Sequence, residues 1–231
     1  HLSGAISAAD YTFPRWFLAT ITIRKTLNRS YYQHDYRCFP YMIEIGHISH
    51  PGNIRTLNED SYDIDNSAGI AVLVDGMGGP NAGDIASAFV RSEVHKSLLQ
   101  GDSPIAALAN AGNALRLQKP QMGGKPSGAS AIAVHWDDRT IDLAWLGSCR
   151  AWHYDGVRTE LVSDMSHSPI GTNTPVQALG VTSPDKLSLF SKVLPWQRGQ
   201  AVLLCSDGIL EECSDAVIHE IIANARLSAQ E

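Results

Sequence analysis

The chain has 231 residues, a formal net charge of −6, and 44% hydrophobic against 18% charged residues. That is the composition of an ordinary soluble globular protein, and the length suits one large domain, or one domain plus an appendage, with a sizeable core. The acidic balance, without a Lys/Arg run or interleaved aromatic stripe, argues against nucleic acid as main partner, and no apolar stretch approaches a membrane span.

Residues 1–40 read as an N-terminal extension ahead of a main domain at 41–231. The chain opens at His1 with no basic-then-apolar signal pattern, so it reads as a fragment or a processed form. Trp16 to Ile23 is predicted as a strand, with Phe17, Ala19, Ile21 and Ile23 alternating against Leu18, Thr20 and Thr22. Asn28 to Pro40 has no clear period and reads as a linker. Tyr41 to Ile48 is a second strand, with Ile43 and Ile45 on one face and Glu44 on the other. After the loop Ser49-His-Pro-Gly-Asn53 come Arg55 and the acidic cluster Asn58-Glu59-Asp60. Taken alone, Arg55 and Glu59 read as a surface ion pair worth under about 1 kcal/mol.

Ile70 to Val74 is an unbroken apolar run, which suits a strand buried on both faces. It ends on Asp75, and four glycines (Gly76, Gly78, Gly79 and Gly83) follow within eight residues. Such a strand can carry backbone and carboxylate up to a small charged ligand, although Asp-Gly after a strand is also an ordinary turn. Ala82, Ile85, Ala86, Phe89, Val90, Val94 and Leu98 recur at helical spacing, predicting a helix over 82–99. Ser103 and Pro104 open a second helix through Ile105, Leu108, Ala111 and Leu115.

A glycine-rich loop from Gly123 leads into a strand at 131–136, and Ile141 to Leu146 returns as its partner. Arg150 to Tyr154 and Val157 to Leu161 read as a hairpin on the two-residue turn Asp155-Gly156. Ser163 to Pro184 is loop-rich and contains Asp164 and His167, the latter a candidate ligand or acid but more simply a solvated histidine. Ala201 to Cys205 is another apolar run that ends in Ser206-Asp207-Gly208. Ser214 opens a last helix with Val217, Ile221, Ile222 and Ala225 on one face. Consecutive antiparallel hairpins beside helices give an α+β class. The cysteines Cys38, Cys149, Cys205 and Cys213 form no C-x-x-C pair, and Cys205 sits in a core-like strand, so a reduced cytoplasmic protein is expected. Three carboxylate sites with hard oxygen donors fit Mg²⁺ or Mn²⁺ far better than zinc.

In order, Gly52-Asn-Ile-Arg55-Thr-Leu-Asn58-Glu59-Asp60, Val74-Asp75-Gly76-Met77-Gly78-Gly79, Gly128-Ala-Ser130, Leu146-Gly147-Ser148-Cys149-Arg150-Ala151, Ala178-Leu-Gly180 and Leu204-Cys205-Ser206-Asp207-Gly208 resemble the motif series of the metal-dependent protein serine/threonine phosphatases of the PP2C family, in their compact bacterial form. The resemblance runs from about Gly46 to Ala225. It implies a central β-sandwich of two antiparallel sheets flanked by α-helices, with metals in a cleft at one end. By that resemblance Asp75 bridges two Mg²⁺ or Mn²⁺ ions and the Gly76 carbonyl completes one shell. Asp207 ligates the second ion, Glu59 and Asp60 hold metal-bound waters, and Arg55 grips the substrate phosphate.

Two departures stand out. Ser148 occupies a position that is aspartate in the family, which implies loss of a third, weaker metal site. The family's closing Asp-Asn dipeptide and final strand are not found before Glu231. Trp16 to Ile23 is a candidate for that strand's slot, with Asp10 as a substitute ligand. The implied function is hydrolysis of phosphoserine and phosphothreonine on a protein substrate, within a kinase pathway of bacterial signalling. The alternatives are a pseudophosphatase that binds a partner or phosphopeptide without turnover, and a small-molecule phosphohydrolase on the same metals.

Overall fold

Period-two alternation along the strands decides which layers they join. The computed structural model describes residues 18–27, 41–51, 57–78, 82–118, 127–163 and 177–224. Its strands are β1 (Leu18–Leu27), β2 (Tyr41–His50), β3 (Asp60–Asp65), β4 (Ile70–Met77), β5 (Gly128–Trp136), β6 (Thr140–Leu146), β7 (Arg150–Tyr154), β8 (Thr159–Leu161), β9 (Phe190–Pro195) and β10 (Ala201–Cys205). Among the described residues they form two five-stranded sheets, ordered β2-β1-β10-β7-β8 and β3-β4-β5-β6-β9. Every pairing between these strands is antiparallel.

On β4, Ala71 and Leu73 face the other sheet; with Ile132, Val134 and Leu143 of their own sheet they share one core with Ile21, Ile23, Val202 and Leu204 from across. Ile70, Val72 and Val74 face the opposite way, onto α1 (Gly83–Leu99) and α2 (Pro104–Gln118). This is why the run from Ile70 to Val74 has no polar member: both of its faces are buried. On β5 the helix-facing positions are Ala129, Ala131 and Ala133, small enough for the helices to lie close to the sheet. The first sheet carries Trp152 and Cys205 on its outer face, covered by Ile218 and Ile222 of α4 (Asp215–Asn224). The layers are therefore helix, sheet, sheet, helix, as the α+β sandwich reading required.

Several local expectations shift. The strand expected at Trp16 to Ile23 runs instead from Leu18 to Leu27 and lies inside the first sheet, between β2 and β10. Trp16, Phe17 and the segment 28–40 lie outside the described residues. The expected two-residue turn after Tyr154 is longer. There the Asp155 carboxylate accepts the N–H groups of Val157 and Arg158 at 2.8 and 2.7 Å, so the side chain replaces a tight ladder closure. In α4 the inward residues are Ile218 and Ile222, whereas Val217 is 43% exposed; Ala225 lies outside the described residues. Ile85 of α1 is also exposed. Strand β9 and the short helix α3 (Asp207–Glu212) were not anticipated. β9 is an edge strand whose inward side mixes Phe190, Lys192 and Leu194, and that hides its period.

Candidate active site

Register places the acidic residues before any side-chain contact is considered. Asp60 of β3 pairs with Asp75 of β4, and Asp75 pairs in turn with Ser130 of β5. The three lie in one row across adjacent strands. Asp75 has the parity of Ala71 and Leu73, so it faces the space between the sheets, at the end where the apolar core stops. From the other sheet, β10 ends at Cys205 and delivers Ser206 and Asp207 to the start of α3.

Hydrogen bonds tie these pieces together. Ser206 Oγ donates to Asp60 Oδ2 at 2.8 Å, a buried link between the two sheets. The Asp60 N–H donates to Asn58 Oδ1 at 3.0 Å, and Asn58 Nδ2 donates to Ser49 Oγ at 2.6 Å. The Gly76 N–H donates to the Glu59 carbonyl at 3.1 Å. A Cβ on Gly76 would collide with the Gly83 carbonyl, and one on Gly83 would stand 2.5 Å from Glu59 Oε1 and 3.0 Å from the Gly76 carbonyl oxygen. Glycine at both positions lets the Glu59 carboxylate and the Gly76 carbonyl meet at the first residue of α1.

The electrostatics are lopsided. Burial, and then the negative charges of Asp207 and Asp60, push the Asp75 carboxyl up to about 8; a hydrogen bond from Ser148 opposes them and Glu59 adds to them. Burial pushes the neighbouring Cys149 thiol well up as well, and Asp75 and Asp60 push it the same way. Burial likewise raises the Cys205 thiol. Neither sulfur is a thiolate nucleophile near neutral pH.

An all-oxygen donor set under mutual repulsion fits a divalent cation, which removes the conflict. Among the described residues, no group of three or more His, Cys, Asp or Glu side chains forms a ready-made metal cage. The fit is therefore to ions that keep much of their water and take only one or two carboxylates directly, as Mg²⁺ does.

Of the residues singled out from sequence, Glu59, Asp60, Asp75, Gly76 and Asp207 come to this one end of the sandwich. Arg55 lies outside the described residues, as do Asp10, Asp164 and His167. What the sequence reading missed is the serines. Ser148, read there as the loss of a carboxylate, donates from Oγ to Asp75 Oδ2 at 3.2 Å and bonds to Ser130 at 3.1 Å. Ser206 was read only as a neighbour of Asp207. Their signal in the sequence was position alone: each stands beside a motif glycine or aspartate at a strand end.

No protein-family model matches the chain. The serine/threonine phosphatase Stp of Listeria innocua serovar 6a is 25% identical over 215 residues, an alignment spanning 76% of this chain and 81% of the relative. Stp of Listeria monocytogenes serovar 1/2a is similar to the same extent. Among solved structures, PppA of Pseudomonas aeruginosa, described as a key regulatory component of T6SS, superposes with a TM-score of 0.63 at 24% identity, over 78% of this chain and 83% of that one. The Mycobacterium tuberculosis phosphatase PstP/Ppp follows at 0.62 and 22% identity, over 75% and 82%. The fold is that of the bacterial PP2C-type phosphatases. A PstP catalytic domain solved with two manganese ions shares this PP2C fold at a TM-score of 0.61 and 20% identity, over 90% of this chain and 87% of that one. The antiparallel sandwich between helices, expected from the motif series, is thereby borne out. Among the described residues no helix is long and apolar enough to cross a membrane.

Proposed function

We propose that this chain is a metal-dependent protein phosphatase that hydrolyses phosphoserine and phosphothreonine. The observation that carries the reading is Asp75, buried in register with Asp60 and facing the charge of Asp207. Relatives named serine/threonine phosphatase, and a fold neighbour that holds two manganese ions, support it. A pseudophosphatase gains no support from relatives so named.

In this reading Asp75 and Asp207 hold two Mg²⁺ or Mn²⁺ ions, with the Gly76 carbonyl as a further ligand. When bound, the ions acidify water and stabilise the attacking and leaving oxygens of an in-line displacement. Glu59 and Asp60 accept hydrogen bonds from water in the site, and Ser206 keeps Asp60 turned toward it. Arg55 grips the substrate phosphate, for which a guanidinium fork is suited in shape and charge. The protonated thiols of Cys149 and Cys205 take no part, so no cysteinyl phosphoenzyme forms, and direct attack by water needs no covalent intermediate. The substrate is a phosphorylated protein acting with its cognate kinase. Among the described residues the thiols of Cys149, Cys205 and Cys213 are free, which supports a reducing, cytoplasmic setting.

The test is hydrolysis of a phosphothreonine peptide beside an aryl phosphate while Mn²⁺ or Mg²⁺ is titrated. Activity on the peptide should require added metal and disappear on chelation. Full activity after exhaustive chelation, or a phosphoenzyme trapped by acid quench, overturns the mechanism. Turnover of the aryl phosphate alone favours a small-molecule phosphohydrolase.

A further inference from the structure

Ser148 sits where the turn between β6 and β7 folds back over β5. Gly147 has a φ of +87°, and a Cβ there would collide with Ser130 Oγ. The turn therefore packs directly on Ser130 and brings two groups of Ser148 onto one hydroxyl. The Ser148 N–H donates to Ser130 Oγ at 3.1 Å, and the two hydroxyl oxygens lie 3.1 Å apart. Ser148 Oγ also reaches Asp75 Oδ2 at 3.2 Å.

A serine hydroxyl has one proton, and that limit orders the network. Asp75 as a carboxylate only accepts, so Ser148 donates to it. Ser130 must then supply the bond between the hydroxyls, donating to Ser148 Oγ while it accepts the Ser148 N–H. The chain of donors runs from the Ser148 backbone through Ser130 and the Ser148 hydroxyl to Asp75. Each member polarises the next, and each is placed by a strand or by a turn that demands glycine. Arg150 holds the turn itself, donating to the carbonyl oxygens of Gly147, Ser148 and Cys149 at 3.2, 2.8 and 3.1 Å.

Resting on the metal-dependent reading above, we propose that Ser148, backed by Ser130, is a positioning residue. It fixes the rotation of the Asp75 carboxylate so that this group is preorganised to hold divalent cations. A carboxylate that serves two ions must present its oxygens in one orientation. A bond to one lone pair of Oδ2 sets that orientation and leaves Oδ1 and a second lone pair of Oδ2 available. Serine at position 148 thus contributes a donor to the site.

The experiment is calorimetric titration of Mn²⁺ into the chelated full chain, for the wild type, Ser148→Ala, Ser148→Thr and Ser130→Ala. Removing an outer hydrogen-bond partner of a metal ligand typically costs about ten-fold or more in affinity, so Ser148→Ala should weaken Mn²⁺ binding about ten-fold. Ser148→Thr keeps the hydroxyl and should return to within about two-fold of wild type. Ser130→Ala removes the donor behind the Ser148 hydroxyl and the acceptor of the Ser148 N–H, and should weaken binding by about three-fold. A Ser148→Ala protein that binds Mn²⁺ like wild type, or a Ser148→Thr protein as weak as the alanine variant, overturns the proposal. A purely structural role would lower the melting temperature of the metal-free protein equally for alanine and threonine and leave Mn²⁺ affinity alone. If Ser148→Ala does not fold, the Ser130→Ala titration decides, and unchanged binding there overturns the relay. Wild type that binds Mn²⁺ without hydrolysing a phosphopeptide refutes the proposed function and leaves the positioning role standing. Wild type that binds no Mn²⁺ refutes both.

Discussion

The two ends of the sandwich both bury charge, and they do so to opposite effect. Strand β1 runs the length between them. Near one end Thr20 pairs with Cys205, beside Asp207; near the other Arg24 pairs with Ala201. At that far end Lys25 is 3% exposed. Its Nζ donates to the carbonyls of Asp138 at 2.6 Å and Trp196 at 3.0 Å. Burial lowers its pKa, while Asp138 and Asp137 pull it back up. The ammonium thus has acceptors and countercharge supplied by the fold and serves as a structural plug. At the near end Asp75 faces carboxylates of its own sign, and the hydrogen bond it receives among the described residues comes from a hydroxyl. Burial of charge does not by itself mark a functional site. The sign of the neighbours does, because only like charges call for an ion from outside.

The largest expected effect follows from removing the charge at the acidic end. Asp75→Asn should lower kcat by about a thousand-fold or more. The same change should raise the melting temperature of the chelated protein at pH 9, since it deletes a buried, repelled anion. Wild-type turnover in this variant, or a lower melting temperature, would break the contrast between the ends.

The pH dependence comes next. Folded Asp75 keeps its proton up to about 8, whereas an unfolded aspartate releases it near about 3.9. In that window the folded state binds more protons than the unfolded one, so stability falls as pH rises. The contribution is full below about pH 4 and lost as pH passes through about 8. The urea unfolding free energy of the chelated wild type, taken relative to Asp75→Asn, should therefore decline across the window by roughly a few kcal/mol. Saturating Mn²⁺ should remove the decline. A flat difference would mean that Asp75 is not strained.

At the opposite end, Lys25→Met removes the donor to the Trp196 carbonyl, a buried bond, and to the Asp138 carbonyl, a part-buried one. It should cost about 2–4 kcal/mol in urea unfolding, yet leave Mn²⁺ affinity and the kcat of the folded protein unchanged. A loss of turnover without a loss of stability would place Lys25 in the function and blur the distinction. The smallest effect concerns Arg55, the cation proposed above for the substrate phosphate. Arg55→Ala should raise KM for a phosphopeptide about ten-fold, equivalent to about 1.4 kcal/mol, while Mn²⁺ affinity holds. An unchanged KM would make Arg55 a surface arginine.

The doubly buried strand at 70–74, the helices after it and the α+β class were legible because each is written in local periodicity, and periodicity follows from which face is wet. The acidic residues were legible one by one, as carboxylates at strand ends beside glycines. Edge strand β9 was not, since an edge position tolerates Lys192 and exposed Val193 and so blurs the alternation. Nor was the central place of β1, because a strand's neighbours depend on pairings far away in the chain.

By itself, the sequence determined the doubly buried strand, the helices after it and the residue types available for metal chemistry, through short-range spacing. Only the tertiary structure decided that Asp60, Asp75 and Ser130 share one row, that Ser206 reaches across to Asp60, and that Ser148 is a donor to Asp75. The reason is separation: Ser148 and Asp75 stand 73 residues apart, and Ser206 and Asp60 stand 146 apart. Sheet register and the packing of two sheets bring them within hydrogen-bonding distance, and no local pattern in the chain encodes either.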